Sequence, residues 1–145
     1  MSEFKRVTPD FAVAAQLEPG DIARAAAEGF RTIVINRPDG EAPGQPPTAE
    51  MKAEADAAGV EFKAIPFQGL PPAPAIVAET AAMLDEANGP VLAYCRTGTR
   101  SITAWAMAEA LGGNRRPDEI IALAQKAGYD LSGARGALET LAPKA

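Results

Sequence analysis

The stretch of sequence that decides the fold is VLAYCRTGTRSITAW, residues 91–105. It begins with a short apolar run, passes through a tight loop at Cys95, and continues into residues that are apolar on nearly every side. This order predicts a buried strand, a loop and a covered helix. In an open α/β sheet, ligands bind at the carboxyl ends of the strands, where free N–H groups of a following helix attract anions. We therefore expect the chemistry of this chain to lie at Cys95.

The rest of the chain alternates short apolar or β-branched runs with alanine-rich helical stretches, which predicts an α/β architecture. We expect a single domain over residues 1–145, with a mainly parallel sheet flanked by helices. Strands are predicted at residues 11–15, 31–35, 60–65 and 91–94. Helices are predicted at residues 22–28, 48–58, 75–88, 101–111, 117–126 and 132–141. Two loops rich in proline and glycine, residues 36–47 and 66–74, separate some of these elements.

The composition excludes several classes of chemistry. The chain has 145 residues, no histidine and one cysteine. It therefore cannot contain a Cys–His or Ser–His catalytic pair, an internal disulfide or the usual kind of zinc site. A net charge of −5 argues against a nucleic-acid partner, because binding to a phosphate backbone needs a basic surface. We expect neither a metal ion nor a cofactor.

The hydropathy of the chain predicts its surroundings. The first residues, MSEFKRVTPDF, lack the apolar core of a signal peptide, and no run of 18 apolar residues occurs. We therefore expect a cytoplasmic chain with no membrane partner.

The loop after the predicted strand 91–94 is the candidate active site. A helix N-terminus and neighbouring arginines stabilise a thiolate, so we expect Cys95 to be a nucleophile at neutral pH. Gly98 allows successive N–H groups to converge, and Arg100 offers two donors to an oxyanion or a persulfide. Ser101 is a candidate cap for the following helix. The residues expected to bind the anion or persulfide are Arg96, Thr97, Gly98, Thr99 and Ser101.

Two polar residues follow the predicted strand 31–35, whose carboxyl end lies at the same edge of the sheet as Cys95. We expect Asn36 or Arg37 to line the pocket and to help bind an anionic substrate. The alternative for Arg37 is an ion pair with a surface carboxylate.

The segment CRTGTRS resembles the active-site loop of cysteine-dependent phosphatases, in which His-Cys is followed by five residues and then Arg-Ser or Arg-Thr. Here Tyr94 replaces that histidine, and only four residues separate Cys95 from Arg100. This shorter spacing is similar to the loop of rhodanese-type sulfurtransferases. The beta-lactamase hydrolase-like family, phosphatase-like domain, combines both features. The resemblance covers FAVAAQLEPGDIARAAAEGF (11–30), TIVINRPDGE (32–41) and YCRTGTRS (94–101).

This resemblance implies the fold of dual-specificity cysteine phosphatases and, from descriptions of the family, sulfur transfer. Cys95 is then expected to form a persulfide from a small anionic sulfur donor and to pass the sulfur to a thiol acceptor. The family's fusions imply a persulfide dioxygenase as a partner. The alternatives are a phosphatase that forms a cysteinyl-phosphate and a binding module for anions or phosphorylated ligands.

The sequence disfavours the phosphatase alternative on two grounds. The loop is one residue shorter than in phosphatases, which should leave a cradle better suited to one sulfur atom than to a phosphate. A phosphatase also uses a carboxylic acid to protonate the leaving group, and the loop 66–74 contains none. Asp39 and Glu41 are the substitutes that the first proline-rich loop offers, although Asp39 before glycine is also typical of a turn.

Overall fold

The computed structural model describes residues 2–143 and contains a five-stranded sheet in the order β1-β2-β5-β3-β4. The strands are β1 Lys5–Thr8, β2 Phe11–Ala14, β3 Thr32–Ile35, β4 Glu61–Ala64 and β5 Val91–Tyr94. The edge strand β1 pairs antiparallel with β2, and the other pairs are parallel. The predicted mainly parallel α/β sheet flanked by helices is confirmed.

Helices cover both faces of the sheet, because side chains on successive strand residues point to opposite faces. Leu92 and Tyr94 of β5 pack into one apolar cluster, whereas Val91 and Ala93 pack into the other. Residues of the first two helices belong to the cluster of Leu92 and Tyr94, and residues of the last four helices belong to the cluster of Val91 and Ala93. The helices are α1 Pro19–Ala27, α2 Thr48–Ala58, α3 Pro74–Glu86, α4 Thr99–Gly112, α5 Pro117–Lys126 and α6 Arg135–Leu141.

Most predicted elements occur with bounds shifted by a few residues, and the structure differs from the prediction at β1, at α4 and at the last helix. The strand β1 was not predicted, because its sequence KRVT is half polar and lies at the sheet edge. The helix α4 begins at Thr99 rather than at residue 101. The last predicted helix is divided into a short 3-10 turn, Ser132–Ala134, and α6. Within residues 2–143, no helix combines the length and apolar character needed to cross a membrane.

The register of the sheet brings three strand ends together. Tyr94 at the end of β5 lies opposite Ala14 of β2 and Ile35 of β3. The main-chain N–H of Asn36 then donates to Tyr94 O at 2.8 Å, which ties the start of the first proline-rich loop to the central strand. Residues that follow β3 and β5 therefore meet at one edge of the sheet, where Cys95 lies.

Candidate active site

Cys95 follows β5 directly and lies beneath the loop that leads into α4. Its side chain is 1% exposed, and the Gly98 N–H donates to Sγ at 3.1 Å. Gly98 has a φ of 95°, a left-handed conformation that residues with a side chain rarely adopt. This conformation turns the Gly98 N–H back toward the sulfur, so one N–H group of the expected cradle faces Cys95.

The helix α4 begins immediately after the cradle, with Gly98 as its N-cap residue. Its N-terminal dipole therefore lies next to Cys95 and favours negative charge there. The predicted cap at Ser101 is wrong, because the helix starts two residues earlier than the sequence indicated. The Ser101 hydroxyl is instead buried, with no hydrogen-bond partner among residues 2–143. The hydroxyl oxygens of Thr97 and Thr99 lie 3.1 Å apart on the outer side of the loop.

Arg100 is held in one orientation by residues from two other loops. Its Nη1 and Nη2 donate to the two carboxylate oxygens of Glu41 at 2.9 and 2.8 Å, and Nη1 also donates to Phe67 O at 3.0 Å. A guanidinium has five N–H donors, so these contacts leave the Nε–H and one Nη2–H. Within residues 2–143 these two donors have no oxygen acceptor, and they share one edge of the guanidinium. That edge can bind an oxyanion with two parallel hydrogen bonds.

The Arg100 guanidinium is also close to the sulfur of Cys95. The pKa of Arg100 is raised, mainly by its hydrogen bonds to Glu41 and further by the charged form of Cys95. Arg100 therefore stays protonated, and it contributes positive charge beside Cys95.

Glu41 joins two of the three arginines of the pocket, Arg37 and Arg100, a role that the sequence did not indicate. Besides Arg100, it accepts from Arg37 Nε at 2.9 Å and from Gln68 Nε2 at 3.2 Å. These bonds, with Arg100 as the largest cause, lower the pKa of Glu41 from its ordinary 4.5 to about 2. Glu41 is consequently ionised at neutral pH and does not carry the proton that a general acid would donate. Its place in NRPDGE, four residues after the candidate pocket residue Arg37, was the only sequence signal.

Arg37 and Asn36, the two residues expected in the pocket, have different positions. Arg37 lines the cavity, is 5% exposed, and donates to Gln16 Oε1 at 3.0 Å as well as to Glu41. Asn36 is buried, and its Nδ2 donates to Ile65 O at 3.0 Å, across to the end of β4. The Asn36 side chain therefore joins two strand ends and does not line the cavity.

Asp39, the other candidate acid, makes a structural contact. Its Oδ1 accepts from the main-chain N–H of Thr48 at 2.8 Å and from the Thr48 hydroxyl at 2.6 Å. Thr48 is the first residue of α2, so Asp39 satisfies a free N–H at the start of that helix. Asp39 is absent from the residues that line the cavity.

Arg37, Glu41 and Arg100 border an open cavity of about 620 Å³. The apolar part of its lining includes Leu70, which is 52% exposed on the second proline-rich loop. Three arginines and one glutamate give the lining a net positive charge, which suits a small anion with an apolar portion. The lining residues are Arg37, Glu41, Ala42, Gln68, Leu70, Arg96, Thr97, Thr99 and Arg100.

Tyr94, which occupies the position of the phosphatase histidine, does not contact the cavity. It is fully buried in the apolar cluster that includes residues of α1 and α2, and its hydroxyl has no hydrogen-bond partner in residues 2–143. Burial raises the pKa of Tyr94, and the charge of Asp39 adds to this effect. Within the same residues, no cluster of three histidine, cysteine, aspartate or glutamate side chains could hold a metal ion.

Comparison with known proteins identifies the family. The family model of the beta-lactamase hydrolase-like protein, phosphatase-like domain, matches residues 3–112. The chain belongs to this family. A beta-lactamase hydrolase-like protein of Agrobacterium fabrum is 36% identical over 92% of the chain. Another, from Xylella fastidiosa, is 32% identical over 83% of the chain. The chain spans only about a third of the length of these relatives, 31% and 28%.

Solved structures show the same fold. A candidate phosphatase from Neisseria meningitidis is 34% identical, with a TM-score of 0.82 over 95% of this chain and 97% of that chain. Tk-PTP in its active form is 18% identical, with a TM-score of 0.73 over 95% of each chain. The catalytic core of a PP-IP phosphatase from S. cerevisiae is 15% identical, with a TM-score of 0.67 over 94% of this chain and 83% of that chain. The predicted family and the cysteine-phosphatase fold are thus confirmed.

Proposed function

We propose that this chain is a cysteine-dependent phosphatase that acts on small anionic phosphate compounds. The observation that carries this proposal is the Gly98 N–H on the sulfur of Cys95, beside an Arg100 edge whose two donors have no oxygen acceptor among residues 2–143. Membership of a phosphatase-like family and the likeness to named phosphatases support it. Sulfur transfer, the main expectation from the sequence, lacks comparable support and becomes the second candidate.

The proposed reaction has two displacement steps. The Cys95 thiolate attacks phosphorus, an S–P bond forms, and the bond from phosphorus to the leaving oxygen breaks with its electron pair on that oxygen. Water then attacks the cysteinyl-phosphate, the S–P bond breaks, and phosphate and the thiolate are released. Arg100 and the loop N–H groups stabilise the negative charge that spreads over the phosphoryl oxygens in both steps.

The surroundings of the pocket limit the substrates of such a phosphatase. Glu41 is ionised, Asp39 is bonded to Thr48, and the loop 66–74 has no carboxylate. No carboxylic acid of these two loops is therefore expected to donate a proton to the leaving group. We expect aryl phosphates and phosphoanhydrides, whose leaving groups are acidic, to react much faster than alkyl phosphates.

Sulfur transfer is a second candidate because four residues, rather than five, separate Cys95 from Arg100. In this reaction the Cys95 thiolate attacks the outer sulfur of thiosulfate, an S–S bond forms, and sulfite leaves. A thiolate acceptor then takes the outer sulfur and releases Cys95. Sulfite leaves as a stable anion, so this reaction needs no general acid. A persulfide dioxygenase as the consumer of the product and a cytoplasmic location are parts of the same proposal.

Parallel assays separate the candidates. The wild-type chain is incubated with para-nitrophenyl phosphate and, separately, with thiosulfate and a thiol acceptor, with Cys95→Ser and Arg100→Lys as variants. Release of nitrophenol that depends on both residues is the expected result. Sulfite release that depends on them, without nitrophenol, would overturn the phosphatase proposal in favour of sulfur transfer. Phosphate binding without turnover of either compound would instead favour a binding module.

A further inference from the structure

Tyr129 contacts the active-site loop from the C-terminal part of the chain. It follows α5, beyond residues 3–112 that match the family model. Its hydroxyl donates to Thr97 O at 2.8 Å. The ammonium of Lys5, on the edge strand β1, lies 4.9 Å from the centre of the Tyr129 ring. The contact to Thr97 thus connects the loop around Cys95 to a segment of the chain that the family match does not include.

The Thr97 carbonyl and the Gly98 N–H belong to one peptide group. A trans peptide is planar, so its C=O and N–H point in opposite directions. The hydroxyl of Tyr129 holds the oxygen side of this group, while Cys95 Sγ accepts from the nitrogen side at 3.1 Å. A rotation of the peptide group would break both hydrogen bonds together. The Tyr129 hydroxyl and the Cys95 sulfur are therefore connected through a single rigid unit.

The space around Gly98 supports the same connection. A Cβ atom at this position would lie 2.1 Å from Oη of Tyr129, which is far inside van der Waals contact. Gly98 is thus needed both for its positive φ and for the close approach of the tyrosine.

We infer that Tyr129 is a positioning residue for the nucleophile: it fixes the Thr97–Gly98 peptide so that its N–H stabilises the Cys95 thiolate. The hydroxyl also polarises the peptide group, because a carbonyl that accepts a hydrogen bond makes its own N–H a stronger donor. This role concerns the loop itself, so it holds whether the transferred group is phosphoryl or sulfur. It does not depend on the proposed function.

The test is an ultraviolet titration of the thiolate in the Tyr129→Phe variant. The chain has one cysteine and two tyrosines, so the signal comes from Cys95, and Tyr94→Phe serves as a matched control. The titration curve of the same variant with Cys95→Ser is subtracted from each curve. This subtraction removes the absorbance of the ionising tyrosines. Tyr129→Phe keeps the ring that Lys5 covers and removes only the hydroxyl. Tyr94→Phe removes a hydroxyl that has no partner in the described part of the chain.

We expect the midpoint of thiolate formation to move upward by about half a pH unit in Tyr129→Phe, the effect of one ordinary hydrogen bond. The rate of reaction with iodoacetate, compared at a pH below both midpoints, should fall by about threefold. Tyr94→Phe should leave both quantities unchanged. A Tyr129→Phe titration that coincides with the wild-type curve, with or without a loss of thermal stability, would overturn the inference. An equal shift in Tyr94→Phe would overturn it as well.

Discussion

Glu41 shows how a single residue fixes the geometry of this site. Its two oxygens take both terminal nitrogens of Arg100, and one of them also accepts from Arg37. The side chains of Arg37 and Arg100 are 6% and 13% exposed, so water can neutralise their charge only in part. The carboxylate therefore both compensates the two guanidinium groups and fixes the orientation of Arg100.

Substitution of Glu41 by glutamine should reduce activity and stability together. Glutamine lacks the charge and offers one acceptor oxygen, so Arg100 loses its fixed orientation. We expect kcat/KM for an aryl phosphate to fall by about 10- to 100-fold, and the free energy of unfolding by about 2 kcal/mol. Steady-state kinetics and urea denaturation measure these changes. Glu54→Gln, on the exposed face of α2, is the matched control. Full activity in Glu41→Gln would contradict the orienting role.

The contribution of Glu41 to stability should depend on pH in a defined direction. Folding lowers the pKa of this carboxyl from 4.5 to about 2. The resulting stabilisation is complete above the ordinary pKa and is lost as the pH falls toward the lowered one. The difference in unfolding free energy between wild type and Glu41→Gln should thus be constant near neutral pH and shrink between about pH 4.5 and 2. Urea denaturation at a series of pH values checks this, and a difference that grew in acid would contradict it.

At the level of elements, Asp39 serves the start of α2 rather than the reaction. Substitution by alanine removes both hydrogen bonds to Thr48. We expect the free energy of unfolding to fall by about 1 kcal/mol, the usual cost of losing a helix cap, and kcat for an aryl phosphate to stay at the wild-type value. Thermal denaturation and steady-state kinetics provide the two measurements. A large drop in kcat without a loss of stability would make Asp39 the general acid after all.

The elements that could be predicted from the sequence are those with strong local signals. Thr48–Ala58 was predicted with its observed bounds, because Gly59 ends the helix in a left-handed conformation with a φ of 77°. The strand β1 was missed, because only two of its residues are buried and its place comes from pairing with β2. The start of α4 was misplaced, because Gly98, rather than a serine, is its cap.

The same difference between local and distant contacts applies to the site. Cys95, Gly98 and Arg100 are close in sequence, and the strand, loop and helix around them could be read locally. Glu41 meets Arg100 across 59 residues, and Tyr129 meets the loop across 32. No pattern in the sequence connects such partners, because their proximity results from the order of the strands and the packing of the C-terminal helices.

For the whole molecule, the central position of β5 makes the site a meeting point. Its neighbours β2 and β3 end in register with it, so the loops that follow them lie beside Cys95. The helices that follow α4 pack on one face of the sheet and bring Tyr129 to the same loop. Residues from the two proline-rich loops and the active-site loop thus line one cavity, and Tyr129 from the C-terminal part contacts that active-site loop.

The composition of this cavity predicts the order of substrates. Because Glu41, the carboxyl group that lines it within residues 2–143, is ionised, the rate should fall steeply as the leaving alcohol becomes less acidic. We expect kcat/KM for an alkyl phosphate to be at least about 100-fold below that for para-nitrophenyl phosphate, the range that a general acid would otherwise supply. A series of substituted phenyl phosphates measures this dependence. Equal rates across the series, with chemistry shown to limit turnover, would reveal a general acid that the described residues do not show.

The most direct test of the central claim is the mass of the intact protein, quenched in acid during turnover of an aryl phosphate. The account predicts an increase equal to one phosphoryl group in the wild-type chain, located at Cys95, and no increase in Cys95→Ser. Turnover that persists in Cys95→Ser, or an adduct on another residue, would contradict a reaction through Cys95. A single added sulfur atom after thiosulfate, with no phosphoryl adduct from any ester, would instead make the chain a sulfurtransferase.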